Sequence, residues 1–101
     1  MPRGYVVITA AIRDQAAYAA YAEKAGRTLM QYGGKPLVVD DAPQAIEGRW
    51  HGTRTIVLEF ESVDAARKWY NSREYQAIVG ERHACSEGNA AIVAGFEMPK
   101  S

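Results

Sequence analysis

The side chains best suited to chemistry lie in a central loop and in the C-terminal third of the chain. Arg49 and Trp50 belong to the loop GRWHGT, and Trp69, Tyr70 and Arg82 follow in a region rich in aromatic residues. Aromatic walls with one or two guanidinium groups suit a planar or carboxylate-bearing small molecule. The pattern therefore favours a ligand-binding site built from these residues.

Two members of this set also have a structural interpretation. Trp69 can instead fill the core between helices and sheet, because a large aromatic ring gains most from burial. Arg82 lies on the inner stripe of a predicted helix, where a guanidinium needs a partner, and Glu59 or Glu47 can supply one. The sequence leaves both interpretations open.

Glu59 and His83 are the candidate catalytic groups. Glu59 lies in an apolar strand, where a carboxylate is costly unless it forms a salt bridge or lines a cavity. His83 follows Arg82 near a helix C-terminus, where it can act as a general base or simply as a charge favoured by the helix dipole. His51, in the loop, is either a lid residue or an ordinary loop histidine.

The sequence carries no metal or cofactor motif. His51 and His83 are 32 positions apart without HxxxH or HxE spacing, and the single Cys85 excludes a multi-cysteine site. A Ser-His-Asp order, a nucleophile elbow, a Walker loop and GxGxxG are also missing. We therefore expect no metal and no cofactor, and the sequence does not decide whether the protein is an enzyme.

Composition limits the partners and the compartment. The 12 basic and 12 acidic residues cancel, which disfavours nucleic acid and anionic membranes as partners. The apolar run near the N-terminus is short and alternates like a strand, unlike a signal sequence or a membrane span. A lone cysteine fits a reducing compartment. We expect a cytoplasmic protein that contacts neither nucleic acid nor membrane.

The elements that must position these side chains follow from hydrophobic periodicity. Strands are predicted over residues 5–12, 35–39, 55–61 and 90–96, with a short return arm over 44–47 and a turn over 85–89 around Gly88. Helices are predicted over 15–32, 62–70 and 72–82, capped by Asp14, Ser62 and Ser72. The order reduces to βαββαβ, a ferredoxin-like α+β plait with an antiparallel four-stranded sheet and all helices on one face.

The strands are apolar on both faces, which helices on one side do not explain. In the first strand Val6 and Ile8 lie on one face, and Tyr5 and Val7 lie on the other. A mostly apolar outer sheet face exceeds a normal exposed patch, and its burial against a second copy is favourable. We therefore expect a homodimer joined through the open sheet face, which forms an α/β barrel.

The string Trp69-Tyr70-x-Ser72-x-Glu74-Tyr75-Gln76 resembles a motif of the DUF1330 family, with Arg73 where many members have proline. The other positions that carry the resemblance are Gly4-Tyr5-Val6, Tyr18-x-x-Tyr21, Gly33-Gly34, Glu47-Gly48-x-Trp50, Glu59-Phe60-x-Ser62, Ala65-Ala66 and Arg82. The resemblance covers nearly the whole chain. It implies a single dimeric α/β-barrel domain over residues 1–101.

The DUF1330 family has no agreed activity, so the resemblance transfers no catalytic residue. The wider superfamily includes cofactor-free monooxygenases, muconolactone isomerases, haem-dependent chlorite dismutases and ligand-binding regulatory domains. By that analogy the protein binds or transforms a small organic molecule without a metal, and the alternative is a non-catalytic dimeric module, structural or ligand-sensing. A haem or metal enzyme would need a histidine facing the pocket. We expect that pocket between sheet and helices, lined by Trp50, Glu59, Trp69, Tyr70, Arg82 and His83.

Overall fold

The computed structural model describes residues 2–99 of the chain. Its elements are β1 (Gly4–Ile12), α1 (Gln15–Gln31), β2 (Lys35–Asp40), β3 (Arg54–Phe60), α2 (Val63–Tyr70), α3 (Arg73–Gln76), α4 (Val79–Cys85) and β4 (Ser86–Ala94). The four strands form an antiparallel sheet in the order β2-β3-β1-β4. This is the strand order of a split βαβ plait, so the predicted fold class is confirmed.

The helices begin at the predicted caps. The Asp14 carboxylate accepts a hydrogen bond from the Ala17 amide at 3.0 Å, and the Ser62 hydroxyl accepts one from the Ala65 amide at 3.0 Å. Ser72 caps α3 in the same way. Each cap satisfies an amide that the first helical turn leaves without a carbonyl partner.

Two predicted loop features are wrong. Residues 44–47 form no strand, so the connection from β2 to β3 contains no hairpin arm. The segment predicted as a turn around Gly88 is the first half of β4, paired with β1 from Ile12–Ser86 onward. Glycine is needed there because a Cβ would lie 2.6 Å from the Thr9 carbonyl oxygen. Gly88 therefore marks a close approach of the β1 and β4 backbones rather than a turn.

The predicted helix over 72–82 is divided into α3 and α4. Ala77 and Ile78 separate the two, and Ile78 offers no side-chain cap to α4. The division turns α4 so that Val79, Arg82 and Cys85 are buried. Among the described residues, no helix has the length and apolar character needed to cross a membrane.

The two faces of the sheet differ in character. Val6, Ile8 and Ala10 of β1 face the helices and are almost fully buried. The opposite, outer face carries one apolar row across all four strands, which we call the central outer row: Val38, Val57, Val7 and Ala91. The row on one side contains Lys35, Glu59, Tyr5 and Val93, and the row on the other side contains Asp40, Thr55, Thr9 and Asn89. The outer face is therefore an apolar band between one polar and one mixed row, less apolar than predicted.

Candidate functional site

A cleft of about 200 Å³ opens between α1 and the β2–β3 half of the sheet. Its position follows from the helix arrangement, because α2 packs over β1, β3 and β4 while β2 remains an exposed edge strand. Most of its wall is aliphatic, with Leu29, Ile56 and Leu58 among the lining residues. The polar side chains that line it are Tyr18, Tyr21, Trp69 and Arg54. The cleft is therefore an apolar slot with a few polar groups.

Trp69 is both a core residue and a wall of this cleft. Its indole N–H donates to the Thr28 hydroxyl oxygen at 2.9 Å, and that hydroxyl donates to the Ala25 carbonyl at 2.8 Å. Its ring lies 4.2 Å from the Tyr75 ring, centroid to centroid. The core interpretation of Trp69 is confirmed, because the residue is 2% exposed, and the residue also lines the cleft.

Arg54 lines the cleft, although its place in the sequence did not mark it as a candidate site residue. Its guanidinium carbon lies 5.1 Å from the centroid of the Tyr18 ring, a cation–π distance. Its Nε also pairs with the Asp41 carboxylate. The available signal was an arginine directly before the apolar run of β3. That signal does not predict the contact with Tyr18, because only the folded structure brings Tyr18 and Arg54 together.

Arg82 is buried without a carboxylate partner. It is 4% exposed, and its Nε has no hydrogen-bond partner. Neither Glu59 nor Glu47 forms the expected salt bridge with it, and no other carboxylate of residues 2–99 does so. One guanidinium nitrogen lies 3.4 Å from the His83 Nε2. The structural explanation that the sequence offered for Arg82 is therefore wrong.

Three tyrosines, Tyr18, Tyr21 and Tyr75, lie within electrostatic reach of this guanidinium. The Tyr21 and Tyr75 hydroxyls are hydrogen-bonded at 2.6 Å, whereas the Tyr18 hydroxyl is buried without a partner. Burial lowers the pKa of Arg82, but the Tyr75 and Tyr21 hydroxyls outweigh it, so its pKa is raised above the ordinary value. Burial also raises the pKa of Tyr18 and of Tyr21. The arginine therefore stays charged, and the Tyr18 and Tyr21 phenols stay neutral at physiological pH.

The structure does not bring the predicted site residues together in one pocket. Glu59 lies on the outer face, where its carboxylate accepts from the Tyr5 hydroxyl at 3.1 Å and is 3.9 Å from Lys35. Trp69 and Arg82 lie on the other side of the sheet. Tyr70 is half-buried and borders a separate depression beside β4.

The remaining predicted residues are also away from the cleft. His83 is exposed at the end of α4, and Arg49 is exposed in the loop between β2 and β3. Trp50, 51% exposed, donates its indole N–H to the Thr55 hydroxyl at 2.7 Å on the outer face. His51 is held there too, with its Nδ1 2.9 Å from the Thr9 hydroxyl. This loop therefore belongs to the outer face.

Within the described part of the chain, no three residues among the histidines, cysteines, aspartates and glutamates are grouped as a metal site would need. The fold and cleft define a small α+β plait with an apolar slot beneath its sheet. The chain matches the family model described as "Domain of unknown function (DUF1330)" over residues 3–96, and it belongs to that family. Among curated proteins, none matches the sequence.

Solved structures share the fold at low sequence identity. The RPA0582 protein of unknown function from Rhodopseudomonas palustris is 18% identical, with a TM-score of 0.79 over 96% of this chain and 85% of that chain. SnoaB, a cofactor-independent oxygenase from Streptomyces nogalater, is 9% identical, with a TM-score of 0.70 over 97% of both chains. A proposed antibiotic biosynthesis monooxygenase from Caulobacter crescentus is 13% identical, with a TM-score of 0.68 over 95% and 92%. At such identities the likeness concerns the fold alone.

Proposed function

We propose that the protein binds a small organic molecule in the cleft between α1 and the β2–β3 half of the sheet. The cleft itself supports this proposal. A protein cavity of about 150 Å³ lined by apolar side chains can bind benzene, so a cleft of about 200 Å³ has room for a substituted ring. Its few polar groups, Tyr18, Tyr21 and Arg54, can orient such a ligand.

The groups that line the cleft favour binding over proton abstraction. Among the described residues that line it there is no histidine, aspartate or glutamate. His83 and Glu59 remain predicted catalytic groups, but both lie outside the cleft. A cofactor-independent reaction like that of the oxygenase with the same fold would therefore require a substrate that reacts without a base from the cleft wall.

A cleft-filling substitution tests the binding proposal. Gly26 lines the cleft, and a Cβ added there meets no atom within 4 Å, so Gly26→Leu extends a side chain into open space. Gly80→Leu is the matched control, because Gly80 is also helical and equally open but does not line the cleft. A panel of single-ring aromatic compounds is titrated while the Trp69 indole N–H resonance is followed by NMR, with Trp50→Phe to assign it.

We expect at least one compound to shift the Trp69 resonance and to lose about tenfold in affinity in Gly26→Leu but not in Gly80→Leu. If no compound of the panel shifts the resonance, the non-catalytic, ligand-free module becomes the better description. Equal effects of the two leucines would place the binding site elsewhere.

We further propose that the chain is a homodimer joined through its outer sheet face. The central outer row offers a continuous apolar band, and exposed Trp50 lies beside it. Burying such a band contributes roughly 25 cal/mol per Å², and the zero formal net charge weakens repulsion between copies. The open face then becomes the interface of a two-fold pair.

Light scattering tests the dimer. The chain mass is 11.1 kDa, and we expect twice that mass at micromolar concentration. Val7→Asp places a charge in the middle of the central outer row and should give a monomer, whereas Met30→Asp, on an 80% exposed residue of α1, should not. A wild-type monomer would refute the proposal.

We assign the protein to the cytoplasm, because the Cys85 thiol is free and free thiols persist in reducing compartments. Fractionation of cells with an antibody against the protein tests this assignment, and recovery from an extracytoplasmic fraction would refute it.

A further inference from the structure

Three of the four polar side chains that line the cleft present no free hydrogen-bonding group to a ligand. The Trp69 indole N–H donates to the Thr28 hydroxyl, and the Tyr21 hydroxyl is bonded to that of Tyr75 at 2.6 Å inside the core. The Tyr18 hydroxyl oxygen is itself buried, so a molecule in the cleft does not reach it. Tyr18 and Tyr21 can therefore orient a ligand only through their rings.

Arg54 is the fourth polar side chain, and it lies on the helix side of the sheet. Side chains alternate between the two faces of a strand, and Arg54 has the same parity in β3 as Ile56 and Leu58, which also line the cleft. Its guanidinium carbon lies 5.1 Å from the centroid of the Tyr18 ring, and Tyr18 is a lining residue as well. The guanidinium therefore belongs to the wall of the cleft.

This guanidinium has hydrogen-bond donors that no protein group uses. An arginine side chain carries five N–H donors and no acceptor. Within residues 2–99, the hydrogen bond that Arg54 makes runs from its Nε to the Asp41 carboxylate, which leaves the N–H groups of both terminal nitrogens without a protein acceptor. The Arg54 side chain is 19% exposed, so these donors are not sealed in the core. They call for an acceptor oxygen on the ligand.

The charge of Arg54 is already balanced by Asp41. A ligand carboxylate would bring a second negative charge to the same guanidinium, and it would lose water on entering a slot with aliphatic walls, which is costly. An uncharged carbonyl oxygen accepts the same hydrogen bonds at a much smaller desolvation cost. The electrostatics therefore favour a neutral acceptor over an anion.

From these contacts we infer that the ligand of the cleft is a ring compound with an uncharged carbonyl oxygen, which accepts a hydrogen bond from the terminal N–H groups of Arg54. This inference rests on the proposed binding function and adds the chemical class of the ligand. The aliphatic wall contacts the ring, and Arg54 fixes the end of the ligand that carries the oxygen. Arg54 is thus a specificity-determining residue of the cleft.

Acetophenone and α-methylstyrene are matched probes for this ligand class. They have nearly the same planar shape, but the carbonyl oxygen of the first is a methylene group in the second. Affinities are measured from the Trp69 indole N–H resonance for wild type, Arg54→Met and Arg27→Met, so that the different hydrophobicities of the probes cancel between variants. Arg27→Met is the control, because Arg27 also pairs with a carboxylate but is 71% exposed and does not line the cleft.

We expect Arg54→Met to weaken acetophenone binding by about tenfold or more, because a hydrogen bond from a charged group contributes on that scale. The affinity for α-methylstyrene should change less than about twofold, and Arg27→Met should change neither affinity. An unchanged acetophenone affinity in Arg54→Met, or an equal loss for both probes, would overturn the inference and leave the binding function intact. Failure of both probes and of the whole aromatic panel would overturn the binding function and the inference with it.

A measurement on the wild-type protein makes the test independent of whether Arg54→Met folds. The carbonyl stretch of bound, isotope-labelled acetophenone is recorded by infrared difference spectroscopy. A hydrogen bond to the oxygen weakens the C=O bond, so the stretch should lie at a lower frequency than in a hydrocarbon solvent. A bound stretch equal to that in the hydrocarbon would refute the hydrogen bond while showing that the ring still binds.

Benzoate tests whether the acceptor is uncharged. It is close to acetophenone in shape but carries a negative charge at neutral pH, so acetophenone should bind the wild-type protein more tightly. Asp41→Asn keeps an acceptor for the Arg54 Nε but removes the charge that balances the guanidinium, and it should narrow this difference. Tighter binding of benzoate to the wild type would refute the uncharged acceptor. An unchanged difference in Asp41→Asn would refute the role of Asp41 in the choice.

Discussion

Replacing Thr28 by valine should destabilise the protein by removing the acceptor of the Trp69 indole N–H, which belongs to a lining residue of the cleft. Thr28 is 7% exposed, and its oxygen accepts the buried Trp69 indole hydrogen bond at 2.9 Å. Valine has nearly the same volume, so the substitution opens no cavity. It leaves the indole N–H buried without a partner, which costs about 1–3 kcal/mol. For a domain of this size, that corresponds to a fall in melting temperature of roughly 5–15 °C.

A double-mutant cycle isolates the hydrogen bond. Unfolding in urea is measured for wild type, Thr28→Val, Trp69→Phe and the double variant. Trp69→Phe alone is costly because it shrinks a core residue, but it also removes the donor. In that background Thr28→Val should cost less than about 0.5 kcal/mol, because no indole N–H is left without an acceptor.

Thr28→Ser is the matched control for this cycle. Serine keeps the hydroxyl and loses only a methyl group, so the cost should stay near 1 kcal/mol. If Thr28→Val costs the same with tryptophan and with phenylalanine at position 69, the two residues are uncoupled. The indole would then be held by packing alone, and the hydrogen-bond explanation of the cleft wall would be wrong.

Three further predictions concern backbone space, proton binding and capping. Gly26→Ala should raise the free energy of unfolding by about 0.5–1 kcal/mol, because an added Cβ meets open space in the middle of α1. Gly34→Ala should lower the free energy of unfolding sharply, because the added Cβ would overlap core side chains. If urea unfolding shows that both alanine substitutions stabilise, or that both destabilise, this prediction is wrong. Burial raises the pKa of Tyr21 above its unfolded value of about 10, so its contribution to stability is complete below pH 10 and falls as the pH rises further. Denaturation between pH 8 and 11 should therefore show a shallower loss of stability in Tyr21→Phe than in wild type, and identical slopes would exclude Tyr21 as the cause. Ser62→Ala should cost about 1 kcal/mol by removing the cap of α2, and Ser62→Asp, which restores an acceptor, should recover most of it.

Local features of the sequence were sufficient to predict most of the elements. The caps at Asp14, Ser62 and Ser72 were found because a cap is a contact between residues three positions apart. The period of the apolar residues separated strands from helices, and the element order then restricted the topology to a plait. These signals depend on neighbours in the chain and need no tertiary partner.

The errors lie where a distant partner decides the conformation. Gly88 resembles a turn residue in the sequence, yet it is in a strand because the β1 backbone passes too close for a Cβ. The helix after Ser72 is divided at Ile78 so that α4 can bury Arg82. Both outcomes follow from packing against elements far away in the sequence.

For the candidate site, too, some features follow from the sequence alone and others depend on contacts between distant residues. The sequence by itself determined the residue types of a ligand site, the two alternating faces of each strand and the family motif around Trp69. Only the tertiary structure decided that Glu59 and Trp50 lie on the outer face, because strand parity does not reveal which side the helices cover. It alone also placed Arg54 against Tyr18 and left Arg82 without a carboxylate. Pairing and burial are relations between residues distant in the chain, and periodicity along one strand or helix carries no information about them.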